Sequence, residues 1–410
     1  MTVNNILNPS QFGFRKNFST EYATVHLLDK IIDSMSKKEH IIGIFMDLSK
    51  AFDTIDHNIL LHKLNNYGVR GIALAWFRSY LSNRKQYVFV NNENSSMLNI
   101  RCGVPQGSIL GPLLFLIYVN DITNTSPTLS FFMFADDTSI LFSHKDISEL
   151  TKILNSELIN ISSWFKCNKL SLNISKTNFM QFQTVHSHTD HQYSIEIDNK
   201  PLERKDSIKF LGIIIDKNLT WNHHLSNVSS QISRGIGILY RVKNLLSKCT
   251  LLSLYNTLIL PYLNYGNIVW GNCCKTKLDD ILLLQKKAVR ICTHSSFLEH
   301  TDPLFNKLKV LKIDDINELQ TAIFMFKHSK NVLPLNFSNY FTYNKNIHHY
   351  PTRSCNNIHL TNPKLLLAQK SLRHHGPDVW NNLPTYIKQK QFLNPFKKLL
   401  KQTLVNKYPK

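Results

Sequence analysis

Three aspartates stand where the sequence predicts the ends of strands. Asp136 and Asp137 lie between the apolar runs 131–133 and 140–142, and Asp47 follows the apolar run 41–46. Carboxylates at strand ends suit hard divalent cations, which also take substrate phosphates as ligands, and pairs of such cations catalyse phosphoryl chemistry. The ordinary alternative is a solvated turn, because aspartate hydrogen-bonds its own backbone there.

The segment after Asp47 adds further candidates. The backbone carbonyl of Leu48 would supply another metal ligand, and the ring of Phe52 would block a 2′-hydroxyl if it lay beside the sugar of a bound nucleotide. Core packing is the alternative for Phe52. Asp53 and Asp56 precede an amphipathic stretch and are predicted to cap the next helix.

Two more segments carry residue types that suit nucleotide chemistry. Residues 103–112 contain three glycines and two prolines, which predicts a rigid loop whose backbone approaches a ligand closely. Within it, Gln106 could contact the base or sugar of a template–nucleotide pair. Lys176 would protonate leaving pyrophosphate as a general acid; a surface lysine is the alternative.

Apolar periodicity predicts an α+β first half and a mainly α-helical second half. Residues 330–365 are rich in Asn, His, Pro and Tyr and are expected to be irregular. Helices are expected over 20–36, 57–64, 72–81, from 111 onward, 147–167, from 225 onward and 393–405. Strands are expected over 41–48, 86–90, 98–102, 178–183 and 208–215, and on both sides of the Asp136–Asp137 pair.

Length and composition indicate an intracellular globular protein of about two or three domains. The longest apolar run, 109–119, is interrupted by Gly111-Pro112 and is too short to span a bilayer, so no membrane partner is expected. No secretory signal opens the chain, and seven scattered cysteines favour a reducing compartment, the nucleus or cytoplasm. Zinc binding by Cys273, Cys274, Cys292 and His294, or metal binding by His186, His188 and His191, is the weaker alternative.

The net charge of +20 is concentrated in the C-terminal part of the chain. Residues 1–240 hold 23 Lys+Arg and 20 Asp+Glu (+3), whereas residues 241–410 hold 25 and 8 (+17). Such an excess predicts a polyanion partner, and interleaved aromatics favour nucleic acid over membrane. A solvated helix face is the alternative. These aromatics could stack bases, although most are expected in the core: Tyr262, Tyr265, Trp270, Phe324, Phe326, Tyr340, Phe341, Tyr343 and Trp380.

Taken in order, five segments resemble the polymerase motifs of reverse transcriptases from non-LTR (LINE-type) retrotransposons, especially the jockey-like group. Motifs A to E are similar to residues 45–53, 103–112, 134–137, 172–177 and 210–213. The resemblance begins at Gln11-Phe12-Gly13-Phe14-Arg15, continues through 221–225 and 371–384, and covers nearly the whole chain.

The resemblance implies a right-hand polymerase. Its fingers (partial) and palm, with a small antiparallel sheet, would occupy residues 1–216, a helical thumb 217–330 and a basic C-terminal tail region 331–410. It also implies that Asp47, Asp136 and Asp137 hold two Mg²⁺ ions (Mn²⁺ possible). The enzyme would extend a DNA primer on an RNA template with dNTPs. The catalytic and substrate-binding residues would further include Lys176, Phe52, Gln106, Gly107 and Arg15.

In one respect the sequence departs from the family. Related enzymes carry an upstream fingers segment with an Arg-Pro-Ile-type motif that helps to bind nucleotide, and nothing before Gln11 resembles it. Arg15 and Lys16 would offer limited phosphate contact in its place. We therefore expect an N-terminally truncated reading frame, and two functions stay open: an RNA-directed DNA polymerase, or a catalytically crippled nucleic-acid-binding remnant. A metal nuclease would leave residues 103–112 and Phe52 without a role.

Overall fold

A computed structural model describes residues 6–185, 193–347 and 354–409, so the predicted histidine loop at 186–191 lies outside the described residues. The chain divides into two compact units. The first unit comprises Met1–Ala23 with Lys37–Asp206, and the second unit comprises Thr24–Ser36 with Ser207–Lys410. In the described ranges, no helix has both the length and the apolar character needed to cross a membrane.

The first unit contains helices and strands in alternation. Its helices are α2 (His57–Asn66), α3 (Gly71–Leu81), α4 (Leu110–Val119) and α5 (Ile147–Cys167), preceded by α1 (Thr20–Ser36), which continues into the second unit. Its strands are β1 (His40–Met46), β2 (Lys85–Gln86), β3 (Phe89–Val90), β4 (Glu93–Asn94), β5 (Leu98–Asn99), β6 (Ser130–Phe134), β7 (Asp137–His144), β8 (Asn178–Phe182), β9 (Glu196–Ile197), β10 (Lys200–Pro201) and β11 (Glu203–Arg204).

A five-stranded sheet in the order β11-β8-β1-β7-β6 forms the centre of this unit. Strand β1 lies in the middle because its continuous apolar run, almost wholly buried, needs cover on both faces. It pairs antiparallel with β7 and β8, and β6 pairs antiparallel with β7. The predicted small antiparallel sheet is confirmed for these four strands, whereas the edge strand β11 runs parallel to β8.

Helices α4 and α5 share one hydrophobic core with the sheet. Buried residues recur every three or four positions along α5 and form one apolar stripe: Leu150, Leu154, Leu158, Ile161 and Phe165. The side chain of Asp146 caps α5 by accepting hydrogen bonds from the N–H groups of Ser148 and Glu149. In α4 every residue from Leu114 to Val119 is buried, so the loop that precedes α4 is attached to the interior of the unit.

The predicted strands over 86–90 and 98–102 are wrong in length. The segment instead forms short pairs, β2 with β5 and β3 with β4, each strand only two residues long. Asn91 and Asn92 connect β3 to β4 with φ values of 51° and 65°. Two successive positive φ angles belong to a type I′ turn, which favours asparagine and ends the strand early.

The second unit is mainly helical, as predicted. Its two strands are β12 (Ser207–Phe210) and β13 (Ile213–Asp216). Its helices are α6 (Asn222–Val242), α7 (Lys248–Leu258), α8 (Leu260–Asn264), α9 (Asn267–Trp270), α10 (Lys275–Thr293), α11 (Asp302–Leu308), α12 (Ile313–Ser329), α13 (Leu366–Lys370), α14 (Leu372–Asn382), α15 (Thr385–Lys388) and α16 (Leu393–Val405). The predicted last helix therefore has the expected bounds.

One strand predicted for residues 208–215 is instead a tight hairpin. Leu211 and Gly212 form the turn between β12 and β13, with φ values of 44° and 84°. Leucine is rare in this conformation, so the residue types at 211–212 do not predict a hairpin turn. The hydroxyl of Tyr265 donates to the Leu211 carbonyl at 2.5 Å, and a Cβ on Gly212 would lie 3.1 Å from the Tyr265 ring. The absence of a side chain at Gly212 therefore leaves room for the Tyr265 ring.

Candidate active site

Strand register places Asp47 beside the Asp136–Asp137 turn. In the β1–β7 ladder Met46 pairs with Thr138, so the next residue, Asp47, comes opposite Asp137. The β6–β7 ladder ends with Phe134 opposite Asp137, which leaves Ala135 and Asp136 as a two-residue turn. Cα atoms of directly opposed residues on antiparallel strands lie about 4.5–5.5 Å apart, and their side chains share a face. The structure therefore brings the three aspartates to one end of the sheet.

The three carboxylates affect one another electrostatically. The side chain of Asp137 reaches solvent, yet partial burial raises its pKa, and the negative charges of Asp136 and Asp47 raise it further. Across the described residues, no three His, Cys, Asp or Glu side chains are gathered closely enough to hold a metal ion as they stand. A bound cation would compensate the repulsion among these three negative charges.

A loop after α5 holds the end of β1 where Asp47 lies. The Asp47 carbonyl accepts a hydrogen bond from the Asn173 N–H at 2.8 Å, and the Asp47 N–H donates to the Thr177 hydroxyl oxygen at 3.3 Å. Leu48 faces Leu172 in an isolated antiparallel bridge, which does not use the Leu48 carbonyl. Lys176, exposed on the same loop, is thereby attached to the strand that carries Asp47.

Two other predicted site residues meet at the next pair of loops. The amide nitrogen of Gln106 donates to the Asp53 carboxylate at 2.8 Å. The Phe52 carbonyl accepts from the Val104 N–H at 3.0 Å, and the Phe52 ring stacks on Phe115 with centroids 4.4 Å apart. The loop over 103–112 is therefore attached to the segment that follows Asp47.

Asp53 does not cap α2, contrary to the sequence prediction. Its carboxylate accepts a hydrogen bond from the Gln106 amide, whereas Asp56 is the cap and accepts from the N–H groups of Asn58 and Ile59.

Gly107 is exposed, has φ of 79°, and has open space where a Cβ would lie. A ligand could thus approach the backbone at Gly107 without steric hindrance.

Arg15 contacts residues that are close to it in sequence, between Asn8 and Phe18. Its Nη1 donates to the carbonyls of Asn8 at 2.8 Å and Gln11 at 3.0 Å, and its guanidinium lies 4.1 Å from the centroid of the Phe18 ring. Burial lowers the pKa of Arg15. These contacts order the backbone around residues 8–11, while the substrate-binding role of Arg15 stays a prediction.

Gln11 contacts this site although the sequence did not indicate it as a site residue. Its side-chain oxygen accepts hydrogen bonds from the N–H of Gly13 at 2.8 Å and from the N–H of Ala135, in the turn that carries Asp136, at 3.0 Å. A single glutamine has no signal of its own in residue type or spacing. Its only indication was its place at the start of the segment 11–15 on which the resemblance begins.

Comparison with known proteins gives consistent matches. Residues 1–215, over half of the chain, match the family model described as reverse transcriptase (RNA-dependent DNA polymerase). The chain is 28% identical over 335 residues to the RNA-directed DNA polymerase from mobile element jockey of Drosophila melanogaster, which is 79% of this chain and 36% of that protein. It is 29% identical over 331 residues to the probable RNA-directed DNA polymerase from transposon BS of the same organism, covering 77% of this chain and 36% of the relative.

The chain thus spans 36% of the length of these relatives. Among solved structures it is similar to apo telomerase from Candida tropicalis, with a TM-score of 0.41 and 13% identity over 75% of this chain and 51% of that one. Because the family model covers the segment that contains all three aspartates and the loops around them, the chain belongs to the reverse transcriptase family.

Proposed function

We propose that this chain is an RNA-directed DNA polymerase of the non-LTR retrotransposon type. It extends a DNA primer on an RNA template by adding nucleotides from dNTPs. The observation that carries the proposal is the convergence of Asp47, Asp136 and Asp137 at one end of the central sheet. Membership of the reverse transcriptase family supports the same reaction.

The donor set at this end of the sheet fits hard divalent cations. It offers three carboxylates and the Leu48 carbonyl, and oxygen atoms of these kinds are the ligands that Mg²⁺ and Mn²⁺ take in proteins. Burial raises the pKa of Asp137, and the negative charges of Asp136 and Asp47, which a bound cation would compensate, raise it further. Two such ions, when bound, would acidify the primer 3′-hydroxyl and neutralise charge on the triphosphate.

The surrounding residues have defined parts in the proposed reaction. The ring of Phe52, held by its stack on Phe115, excludes a 2′-hydroxyl from the nucleotide site. Gln106 and Gly107 contact the template–nucleotide pair, with Gln106 oriented by Asp53. Lys176 protonates the leaving pyrophosphate, because it is exposed on the loop that is bonded to Asp47.

We also propose that residues 1–216 supply fingers and palm, residues 217–330 the thumb and residues 331–410 a basic tail region. The helical character of the chain after β13 supports this assignment. An intracellular location, in the nucleus or cytoplasm, is proposed as well, and the seven cysteines, all free, support it. Microscopy of a fluorescently tagged chain tests the location.

A primer-extension assay with the purified chain tests the function. The substrates are an RNA template annealed to a DNA primer, dNTPs and Mg²⁺. We expect incorporation by the wild-type chain and a decrease of at least about a thousandfold for Asp136→Asn, because losing one metal ligand removes several kcal/mol of transition-state stabilisation. Glu149→Gln, which removes one exposed carboxylate on α5, is the matched control and should retain full activity.

The same experiment separates the two functions that the sequence left open. Binding of the primed template by the Asp136→Asn chain should equal that of wild type, since the aspartates act on the reacting atoms. If the wild-type chain binds the primed template but incorporates no nucleotide with Mg²⁺ or Mn²⁺, the chain is a nucleic-acid-binding remnant and the polymerase proposal is rejected.

A further inference from the structure

We propose that Gln11 is a positioning residue for the Asp136–Asp137 turn. The inference rests on the proposed polymerase function, which gives those aspartates their role. It concerns a residue outside the five segments that resemble motifs A to E, 124 positions away in sequence from Ala135, which it contacts.

The side chain of Gln11 is almost completely buried, with 1% of its surface exposed. Its Oε1 accepts two hydrogen bonds, from the N–H of Gly13 at 2.8 Å and from the N–H of Ala135 at 3.0 Å. Both partners are donors, so the amide oxygen, and not the nitrogen, must face them. Among the residues that the structure describes, the Nε2 group has no hydrogen-bond partner. The oxygen is therefore the atom that this position requires.

The turn needs such an acceptor because of its backbone. Ala135 is the first of the two central residues and has φ of 56°, a conformation that normally calls for glycine. The ladder of a two-residue hairpin does not use the N–H of that residue, and a buried N–H without a partner is costly. Gln11 supplies the missing acceptor, and so it stabilises a turn that the local sequence disfavours.

The main chain around Gln11 is fixed independently. The Phe12 N–H donates to the Met133 carbonyl at 2.7 Å, and the Met133 N–H donates to the Ser10 carbonyl at 2.9 Å, so this segment runs parallel to β6 as an added edge. A Cβ on Gly13 would lie 2.5 Å from the Ala135 nitrogen, which only glycine can avoid. Arg15 donates to the Gln11 carbonyl from the other direction.

It follows that the orientation of the two carboxylates depends on one amide oxygen. Without that oxygen, the N–H groups of Gly13 and Ala135 lose their acceptor inside the protein, and the turn can relax towards other conformations. The sheet itself keeps its own ladders. We therefore expect a loss in the chemical step with little change in binding of nucleotide or template, since a small misplacement of catalytic groups reduces rate far more than affinity.

The test compares Gln11→Met with Gln11→Glu. Methionine fills a similar volume without an acceptor, whereas glutamate keeps an oxygen at the same place in either protonation state. The matched control is Gln181→Met, because Gln181 is a buried glutamine on β8 whose oxygen also accepts two hydrogen bonds, from Tyr193 at 2.9 Å and Arg204 at 3.0 Å. Circular dichroism and thermal unfolding establish that each full-length variant is folded.

Amide hydrogen exchange is the first readout, and it does not depend on catalysis. We expect the N–H groups of Gly13 and Ala135 to exchange about tenfold faster in Gln11→Met, as loss of one hydrogen bond predicts. Their exchange should stay near wild type in Gln11→Glu and in Gln181→Met. Unchanged exchange in Gln11→Met, or equally fast exchange in Gln11→Glu, overturns the inference.

Steady-state primer extension is the second readout. Gln11→Met should lower kcat about tenfold or more while KM for dNTP and affinity for the primed template stay within about threefold, and Gln11→Glu should recover most of the kcat. A rise in KM with an unchanged kcat contradicts a positioning role. If the wild-type chain incorporates no nucleotide, the proposed function fails, whereas the exchange measurement still decides the inference about Gln11.

Discussion

At the scale of single residues, the side chain of Phe52 has an orientation set by the core of the first unit. Its ring stacks on Phe115, which is fully buried, with an angle of 26° between the ring planes. The Phe52 carbonyl is also bonded to the loop that carries Gln106. The stack therefore anchors the ring and the hydrogen bond anchors the backbone, and an anchored ring suits the exclusion of a 2′-hydroxyl that we propose.

This arrangement predicts how Phe52→Val behaves. Shortening the side chain opens space beside the proposed sugar position, so incorporation of rNTPs relative to dNTPs, compared as kcat/KM, should rise about tenfold or more. Single-nucleotide extension with each substrate measures the ratio. The control is Phe115→Leu, which weakens the stack and lowers stability but retains the Phe52 ring. If the ratio is unchanged in Phe52→Val, Phe52 only packs in the core and does not select against the 2′-hydroxyl.

At the scale of elements, two side chains join β13 and the turn after it to the start of α6. The Asp216 carboxylate accepts from the N–H of Thr220 at 2.9 Å and of Trp221 at 2.8 Å. The imidazole Nδ1 of His224 accepts from the Ile214 N–H at 3.3 Å, so this nitrogen carries no proton. Burial lowers the pKa of His224 to about 4. The junction therefore requires a neutral histidine.

The neutral state of His224 predicts a pH dependence of stability. An unfolded histidine titrates near pH 6.5, whereas the folded one resists protonation until about pH 4. The stabilisation is therefore complete above pH 6.5 and is lost as pH falls towards 4, by at most about 3 kcal/mol. Chemical unfolding at pH 7.5 and 5 measures it. His224→Gln should be less sensitive to acid than wild type, and His223→Gln, on the exposed neighbour, should match wild type. Equal acid sensitivity in all three chains would show that His224 is not the source of the pH dependence.

The elements that the sequence predicted well are those with long periodic patterns. Helices α1, α5 and α16 have the expected bounds because a continuous apolar stripe extends over several turns in each. The hairpin of β12 and β13 was missed because a Leu-Gly turn lacks the usual residues, and its conformation depends on packing against Tyr265. Gln11 was missed for a related reason, since its contacts join segments that are far apart in sequence.

At the scale of the whole molecule, the excess of positive charge lies in residues 241–410 and is carried mostly by lysines. Fewer of the aromatics considered for base stacking are in the core than expected. Trp270, Phe324, Phe326 and Trp380 are buried, whereas Tyr340, Phe341 and Tyr343 are only partly buried. Tyr262 and Tyr265 are exposed, with 41% and 40% of their surfaces accessible. Affinity for nucleic acid should therefore come mainly from phosphate contacts, which depend strongly on salt.

Helix α16 presents the clearest group of such lysines. Phe396, Leu400 and Leu404 are buried along one side of the helix, and its exposed lysines are Lys397, Lys398 and Lys401. Partial burial and the charge of Lys397 lower the pKa of Lys401, which indicates that these positive charges are crowded. None of the three has an ion-pair partner in the part of the chain that the structure describes.

Replacing these three lysines with glutamine should reduce the salt dependence of binding to an RNA–DNA duplex. Each phosphate contact contributes roughly 0.7 to 0.9 to the slope of log K against log salt concentration, so the slope should become shallower by about 2 to 3. Fluorescence anisotropy over a salt series measures it with the full chain. The control replaces Lys152, Lys166 and Lys205, whose charges are already paired with acids. If both triple variants change the slope equally, the effect reflects net charge alone, and α16 is not a contact surface for phosphates.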